Sequence, residues 1–304
     1  MILVVGATGM VGREICRRLV DRGTPVRALV REVSDPVKVA SLRELGAEIV
    51  MGDLRDRASL VRACAGADAV ITTVSSMPFS YVPGVNDIAT TDLAGARSLV
   101  AAASTAGVRR FVYMSFSGNL DVPMPLRDAK RAIEAELRAS GLDVTILRPS
   151  CFMEVWLSPA VGFDPVAGTI TVYGEGTAPI SWIAVDDVAE FAVQSLEAPA
   201  ACNATLELGG PRPISPLEVV AIFEGVAGRR FTVTHVPEAT LAAQQAEATD
   251  PMAQSFAALM RCCAAGDAIP MAALLEAMPV RLTSVEDYAA KVLGRVPALA
   301  SART

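Results

Sequence analysis

Short apolar runs alternate with longer segments of helical periodicity along the first half of the chain. Six of these runs are rich in Val and Ile and lack polar alternation, which is typical of strands buried on both faces of a sheet. They span residues 2–5, 26–30, 47–52, 69–74, 110–115 and 143–148. Between them, segments such as 12–23 and 92–107 carry apolar residues at helical spacing and end in glycine. The alternation predicts right-handed βαβ crossovers and a doubly wound parallel sheet.

The pattern loosens after residue 150, where Gly and Pro become frequent over residues 158–180. Helical spacing returns at 184–197, 215–228 and 238–280, and strands are predicted at 204–210 and 230–237. We therefore predict an α/β protein with two parts. A Rossmann-type NAD(P)-binding domain covers residues 1–150, and a smaller α+β substrate-binding lobe covers residues 151–304. The two are expected to be interleaved in one compact unit.

Residues 4–12 read VVGATGMVG, a G-x-x-G-x-x-G pattern between a buried strand and a helix. In this setting Gly6 permits a tight turn, Gly9 lets the backbone approach a pyrophosphate, and Gly12 lets the helix pack closely on the strand. The helix N-terminus adds free N–H groups and the positive end of a dipole. The predicted cofactor contacts in this loop are Gly6, Thr8, Gly9, Met10, Val11 and Gly12.

The end of the second strand predicts which dinucleotide is preferred. Selectivity for NAD usually places Asp or Glu there, to bind the ribose 2′-hydroxyl. This chain has Arg31, whose guanidinium suits a 2′-phosphate, so NADP(H) is favoured over NAD(H). Glu32 follows directly, and because an acidic residue here would suit NAD(H), that cofactor remains the alternative. Asp53, at the end of the third strand, is interpreted either as an acceptor near the adenine amino group or as a helix cap.

Residues at the ends of the later strands are expected to line the same crevice, because ligands of such sheets bind at the carboxyl ends of the strands. Ser115 and Ser117 follow the fifth strand and could position a substrate carbonyl, or could simply cap the loop. The further cofactor contacts predicted here are Leu54, Thr73, Val74, Ser75 and Phe152.

Lys130 is the predicted catalytic residue. The chain has 27 Lys and Arg residues, and only Lys38, Lys130 and Lys291 are lysines. An ammonium is a compact charge that can hold ribose hydroxyls or donate a proton, which a guanidinium does not do near neutral pH. The alternative interpretation is an ordinary solvated helix residue that pairs with Glu134 one turn later.

Composition and charge narrow the classes of function. The net charge is −6 and no Lys/Arg run is long enough to follow a phosphate backbone, so nucleic-acid binding is not expected. One histidine, His235, and six scattered cysteines give no expectation of a metal site or a Ser-His-Asp triad. The cysteines are interpreted as buried hydrophobes in a reducing compartment. Without a signal peptide or a stretch of about 20 apolar residues, the protein is expected to be cytoplasmic and not membrane-bound.

Several motifs read together resemble a known family. GATGMVG, GDLRD, AGVRRFVYMS, KRAIEAELRASGLDVTILRPSCF and ISWIAVDDVAEF are similar to the NmrA-like branch of the atypical short-chain dehydrogenase/reductases. Isoflavone-reductase-like enzymes and NAD(P)H quinone reductases are relatives of that branch. The resemblance spans residues 1 to about 235 and implies a Rossmann-type domain, a smaller C-terminal substrate lobe and NADP(H).

The resemblance also places Lys130 in a sequence motif of the family. Typical short-chain enzymes have a Tyr-x-x-x-Lys motif, in which the tyrosine donates a proton to the substrate oxygen. Here Leu126 stands four residues before Lys130, and the NmrA-like and isoflavone-reductase-like proteins show the same departure. Ordinary alcohol dehydrogenation is therefore not expected.

We expect an NADPH-dependent reductase of a small, largely apolar carbonyl, enone, quinone or imine substrate, acting as a monomer or homodimer. The alternative is a regulatory protein that senses NAD(P) without catalysis, as the name of the branch implies. A reductase needs an apolar cavity beside the nicotinamide, whereas a sensor does not.

Overall fold

A computed structural model describes residues 1–78 and 80–294 of the chain. The strands in these residues are β1 (Ile2–Val5), β2 (Val26–Val30), β3 (Glu48–Met51), β4 (Ala69–Thr72), β5 (Arg110–Met114), β6 (Asp143–Pro149), β7 (Phe163–Asp164), β8 (Thr169–Tyr173), β9 (Ala204–Leu208) and β10 (Thr232–Val236). Seven of them form one parallel sheet in the order β3-β2-β1-β4-β5-β6-β9.

The helices of the described residues lie between and after these strands. They are α1 (Met10–Asp21), α2 (Pro36–Glu44), α3 (Arg57–Cys64), α4 (Ala96–Thr105), α5 (Pro125–Arg138), α6 (Met153–Trp156), α7 (Val185–Gln194), α8 (Pro216–Ala227), α9 (Glu238–Glu247), α10 (Pro251–Ala265), α11 (Ala272–Ala277) and α12 (Val285–Val292). A π-helical segment, Ile88–Gly95, leads directly into α4.

The predicted Rossmann-type doubly wound sheet is confirmed. All six predicted strands of the first half are present within two residues of the expected ends, and the order around β1 is that of a dinucleotide-binding fold. The helix predicted at 92–107 begins earlier, as the π-helical segment, because Asp87 and Thr90 form a capping box. The helical stretch 238–280 is divided into α9, α10 and α11.

Apolar side chains pack on both faces of the sheet, as uninterrupted Val/Ile/Leu strands require. In β1, Ile2 and Val4 face the helix that carries Ile15, whereas Leu3 and Val5 face the other layer. Each fully buried aliphatic side chain of this kind contributes about 1.5–3 kcal/mol to folding. The core therefore holds the ends of the strands in fixed relative positions.

The chain after residue 150 contributes a strand to the main sheet and a helix that packs on α1. Strand β9 extends the main sheet beside β6, and α7 packs on α1, where Arg18 binds Glu190 at 2.6 Å. Strands β10, β8 and β7 form a separate smaller sheet. The predicted boundary at residue 150 stays a prediction, and residues 295–304 of the predicted lobe lie outside the described residues.

Candidate functional site

A cavity of about 540 Å³ lies along the carboxyl ends of the parallel strands. Its lining includes Arg31 and Lys38, which follow β2, and Phe152 and Trp156, which follow β6. Because β1, β4 and β5 lie between those two strands, the cavity extends across most of the sheet. This is the crevice in which doubly wound sheets bind their ligands.

The glycine loop forms one wall of the cavity. Gly6 has φ +89°, and its carbonyl accepts a hydrogen bond of 2.9 Å from the N–H of Gly9, directly before α1. No acidic residue lies in the first turn of this helix, so its N-terminal dipole is not neutralised locally. Gly6, Thr8, Gly9, Met10 and Val11 line the cavity as predicted.

Gly12 has a packing role behind this wall. It is not among the residues that line the cavity. A Cβ at Gly12 would lie only 2.2 Å from the carbonyl oxygen of Gly6, so the helix and the loop can approach this closely only at a glycine. The predicted close contact between helix and strand is present, and a direct contact of Gly12 with a cofactor stays a prediction.

Two cations lie at the end of the cavity that follows β2. Arg31, Ser34 and Lys38 line it, whereas Glu32 does not. The Ser34 hydroxyl accepts a hydrogen bond of 3.0 Å from the N–H of Arg31, which orders this turn. Lys38 was not predicted, although its being one of three lysines was an available signal. A guanidinium and an ammonium that line the same part of a cavity suit a phosphate group.

Asp53 and Leu54 line the cavity after β3, as predicted. The Asp53 carboxylate accepts hydrogen bonds of 2.9 Å from both the backbone and the side chain of Arg55, and the bond from the Arg55 side chain lowers its pKa. The interpretation of Asp53 as a helix cap is wrong, because Asp56 caps α3 by accepting from two backbone N–H groups. Its predicted contact with adenine stays a prediction.

Lys130 lies in the wall of the cavity with its side chain only 5% exposed. Its Nζ donates to the carbonyl oxygens of Val74 at 2.9 Å and Met114 at 3.4 Å. Oδ1 of Asp92 lies 3.2 Å from the same nitrogen. The alternative interpretation, a solvated pair with Glu134, is therefore wrong, because the ammonium is buried and its ion pair is with Asp92.

Glu134 is instead the centre of a second buried cluster. Its carboxylate accepts hydrogen bonds of 2.6 Å from Ser115, 2.7 Å from Arg131, and 3.0 and 2.5 Å from Arg148. Burial opposes the charge, but the hydrogen bonds from Arg148 and Ser115 and the positive charge of Arg131 outweigh it and lower the pKa of Glu134 to about 2. The cluster holds Ser115, which lines the cavity, from behind.

Ser117 does not line the cavity. Its buried hydroxyl donates to Oδ1 of Asp267 at 2.7 Å and accepts from the N–H of Asn119 at 3.1 Å. These bonds agree with the interpretation of Ser117 as a loop cap and tie the loop after β5 to the segment after α10. A catalytic role for Ser117 stays a prediction.

On the side of the cavity that follows β5 and β6, called here its aromatic end, the lining is rich in apolar and aromatic side chains. The predicted contacts Thr73, Val74, Ser75 and Phe152 are all part of the lining. Residues that the sequence did not point to complete this end, namely Met77, Phe116, Leu126, Trp156, Phe256 and Leu259. They come from loops and from α5, α6 and α10, and scattered apolar residues carry no signal of their own. Among the described lining residues on this side, Lys130 is the charged one.

The cysteines behave mostly as expected. Five are buried and Cys202 is exposed. Cys151 lines the cavity, and its sulfur lies 3.5 Å from that of Cys263, with both residues as free thiols. His235 bonds the Gly174 carbonyl at 2.9 Å, a structural contact. Over residues 1–78 and 80–294, none of the helices combines the length and the hydropathy that a bilayer span requires.

The strand order, the glycine loop at the reversal of that order and the crevice beside it define a Rossmann-type α/β protein with the geometry of a dinucleotide site. The chain belongs to the NmrA-like family, whose model matches residues 1–289. The resemblance found in the sequence motifs is thereby confirmed.

Relatives with similar sequences include a reductase and an assembly factor. The NAD(P)H azoreductase of Xenophilus azovorans is 33% identical over 97% of this chain and 93% of its own length. The photosystem II assembly factor Ycf39 of Synechocystis is 30% identical over 97% of this chain and 91% of its own length. Among solved structures, the NADPH complex of the Escherichia coli quinone oxidoreductase QOR2 has a TM-score of 0.77 at 23% identity, covering 96% of this chain and 100% of that one. This last likeness shows the fold.

Proposed function

We propose that the protein is an NADPH-dependent reductase that delivers hydride to a small, largely apolar acceptor with a carbonyl, enone, quinone or imine group. The observation that carries the proposal is the aromatic end of the cavity, where Phe116, Phe152, Trp156 and Phe256 line the same cavity as Lys130. Such walls suit a flat, uncharged molecule. The family and the relatives named as reductases support the same activity.

The residues present fit NADP(H). The start of α1 has a glycine as its cap, so no side chain covers the N–H groups that would meet the diphosphate. Arg31 and Lys38 suit the 2′-phosphate at the far end of the cavity. When bound, NADPH would supply the hydride. The chain's own part is to orient the two ligands and to stabilise the charge that develops on the acceptor.

Lys130 is the residue to which we assign both tasks. Its ammonium donates to the carbonyl of Val74, and both residues line the cavity together with the aromatic side chains. The contact with the Met114 carbonyl, at 3.4 Å, is the longest of its three, so a ribose hydroxyl would replace it at the lowest cost. A positive charge held here stabilises negative charge on an acceptor oxygen, because little water screens it.

The test is the oxidation of NADPH by the purified protein with four acceptors: a benzoquinone, an unsaturated ketone, a cyclic imine and an azo dye. The azo dye is included because of the azoreductase relative. We expect turnover with at least one acceptor and a higher kcat/KM with NADPH than with NADH. The Lys130→Met variant tests the role of the ammonium and should lose most of the turnover.

A second candidate is a dinucleotide-binding regulatory protein without turnover. It is favoured by the likeness to an assembly factor across almost the whole chain. Tight binding of NADPH with no acceptor reduced would support this candidate and overturn the reductase proposal.

A further inference from the structure

The carboxylate of Asp92 touches the ammonium of Lys130 and was not predicted from the sequence. Asp92 lies in the π-helical segment Ile88–Gly95, and its side chain is fully buried. Its Oδ1 lies 3.2 Å from Nζ of Lys130. Its Oδ2 accepts hydrogen bonds from the backbone N–H of Ser76 at 3.0 Å and from the Ser76 hydroxyl at 2.6 Å. Oδ2 is therefore fixed by two hydrogen bonds, and Oδ1, which accepts no hydrogen bond from the described residues, faces the ammonium as its ion-pair partner.

We propose that Asp92 is a positioning residue that holds the Lys130 ammonium at the wall of the cavity, an inference that rests on the proposed function. An ammonium has three hydrogens. In this structure it donates hydrogen bonds to the carbonyls of Val74 and Met114, and the Asp92 carboxylate lies at ion-pair distance. The negative charge of Asp92 therefore adds an attraction that the two neutral carbonyls do not supply.

Among the described residues, Asp92 carries the negative charge that offsets the Lys130 ammonium. On β5, the ring of Tyr113 faces the ammonium at 5.4 Å, and burial raises the pKa of its phenol, so that this group stays neutral. On α5 itself, Arg131 and Glu134 pair with each other at 2.7 Å. A buried ammonium needs a charged partner to offset the loss of water. Asp92 is the carboxylate with which Lys130 forms an ion pair within the described residues.

The local backbone around Asp92 is π-helical. The capping box at Asp87 starts the segment, and its i→i+5 pattern adds a residue to the turn before α4 begins. Asp92 is buried within this segment. Short π-helical segments are frequent at functional sites.

A double-mutant cycle tests the proposal. Asp92→Asn keeps the shape but turns an amide toward the ammonium. We expect it to weaken NADPH binding several-fold, measured by the fluorescence of the bound cofactor, and to lower kcat about tenfold. In a Lys130→Met background, adding Asp92→Asn should change neither quantity further, because its effect acts through the lysine. If the two substitutions instead multiply, Asp92 has only a structural role and the proposal is overturned.

Two further variants keep the test decisive. Asp187→Asn is the matched control, since Asp187 is also a buried aspartate, bonded to Thr283 and away from the cavity, and it should leave NADPH affinity and kcat unchanged. If Lys130→Met does not fold, Ser76→Ala takes its place. Loss of the 2.6 Å bond should then lower kcat in the same direction as Asp92→Asn, by a smaller factor. Unchanged kcat in both variants overturns the proposal.

Failure of this inference is distinguishable from failure of the proposed function. If the wild type reduces no acceptor, the reductase proposal fails. The NADPH affinities of wild type, Asp92→Asn and Ser76→Ala then decide the role of Asp92 alone, with weaker binding in both variants as the supporting result.

Discussion

The hydroxyl of Ser115 donates a hydrogen bond of 2.6 Å to Oε1 of Glu134, although the serine lines the cavity. Arg131 donates to the same hydroxyl oxygen at 3.2 Å. The single hydrogen of this hydroxyl is thus engaged on the side away from a substrate. Ser115 therefore lines the cavity, but its hydroxyl hydrogen is donated to Glu134 and not to a group in the cavity.

We therefore predict a modest effect of Ser115→Ala. A group that donates a proton or a key hydrogen bond in the reaction contributes about 10²–10⁴-fold to the rate. Because this hydroxyl donates to Glu134, removing it should lower kcat less than about tenfold, as measured by steady-state kinetics. Ser98→Ala, on the exposed side of α4, is the control. A loss of 10²-fold or more would mean that Ser115 turns toward the substrate.

The charge of Glu134 makes the free energy of unfolding depend on pH in the acidic range. Its pKa in the folded protein, about 2, lies below its ordinary value of 4.5. The stabilisation is therefore complete above about pH 4.5 and is lost as the pH falls toward 2. It amounts to about 3 kcal/mol in the free energy of unfolding. Urea unfolding at a series of pH values should show this loss for the wild type, whereas Glu134→Gln should be less stable near neutral pH and should lose less stability in that window, because carboxylates such as Asp53 keep their own acid dependence.

Glu136→Gln is the matched control for this measurement, because Glu136 lies on the exposed side of the same helix. Its stability should follow the wild type at every pH. A Glu134→Gln variant that keeps the full acid dependence would show that other carboxylates cause it.

Arg31 should determine the preference for a phosphorylated cofactor. Hydrogen bonds to charged groups contribute about 1.5–3 kcal/mol, so Arg31→Ala should raise the Kd for NADPH about 10–100-fold. The Kd for NADH should change less than about threefold, because NADH has no 2′-phosphate. Lys38→Ala should act in the same direction.

Calorimetric titration with both cofactors measures this difference. Arg43→Ala, on an exposed face of α2, controls for the loss of one positive charge. Equal weakening of NADPH and NADH by Arg31→Ala would contradict the assignment of this end of the cavity to the phosphate.

Gly9 and Gly12 should fail in different ways when replaced by alanine. A methyl at Gly12 would lie 2.2 Å from a backbone oxygen, so Gly12→Ala should lower the free energy of unfolding by about 1–3 kcal/mol or more. A methyl at Gly9 would lie 3.2 Å from the Gly6 oxygen and needs only a small shift. Gly9→Ala should therefore stay folded and lose NADPH affinity, because the methyl occupies the face that a diphosphate approaches.

Thermal unfolding and NADPH titration of the two variants separate these outcomes, and each variant is the control for the other. A Gly9→Ala protein that binds NADPH like the wild type would place the diphosphate away from this loop.

The sequence was sufficient for the fold and for the glycine loop that lines the cavity. Buried parallel strands leave uninterrupted apolar runs, and the loop at residues 6–12 has a spacing that few other structures need. Once the strands are predicted, their carboxyl ends are known, so Thr73, Val74, Ser75 and Phe152 could be assigned to the lining in advance. Lys130 could be singled out because the chain otherwise uses Arg.

The partners of Lys130 could not be found in the same way. Glu134 stands at the spacing of a helical ion pair, but the helix buries that side chain against Arg148 of β6. Asp92 is 38 positions before Lys130, and it lies in a π-helical segment that has no recognised sequence pattern. The aromatic end of the cavity combines Phe116 with Phe256, and only the packing of α10 against α5 brings these together. Long-range packing, which a one-dimensional pattern does not encode, decides each of these contacts.

Strand β9 limits how specificity can be transferred between relatives. Leu206 pairs with Leu147 of β6, so a segment from the second half of the chain completes the sheet of the first. A chimaera spliced once near residue 150 would import a foreign edge strand together with the foreign walls of the cavity. Grafts that replace residues 153–203 and those after 208, while retaining Ala204–Leu208, would exchange the walls of the cavity that carry Trp156 and Phe256 and leave the main sheet with its own edge strand.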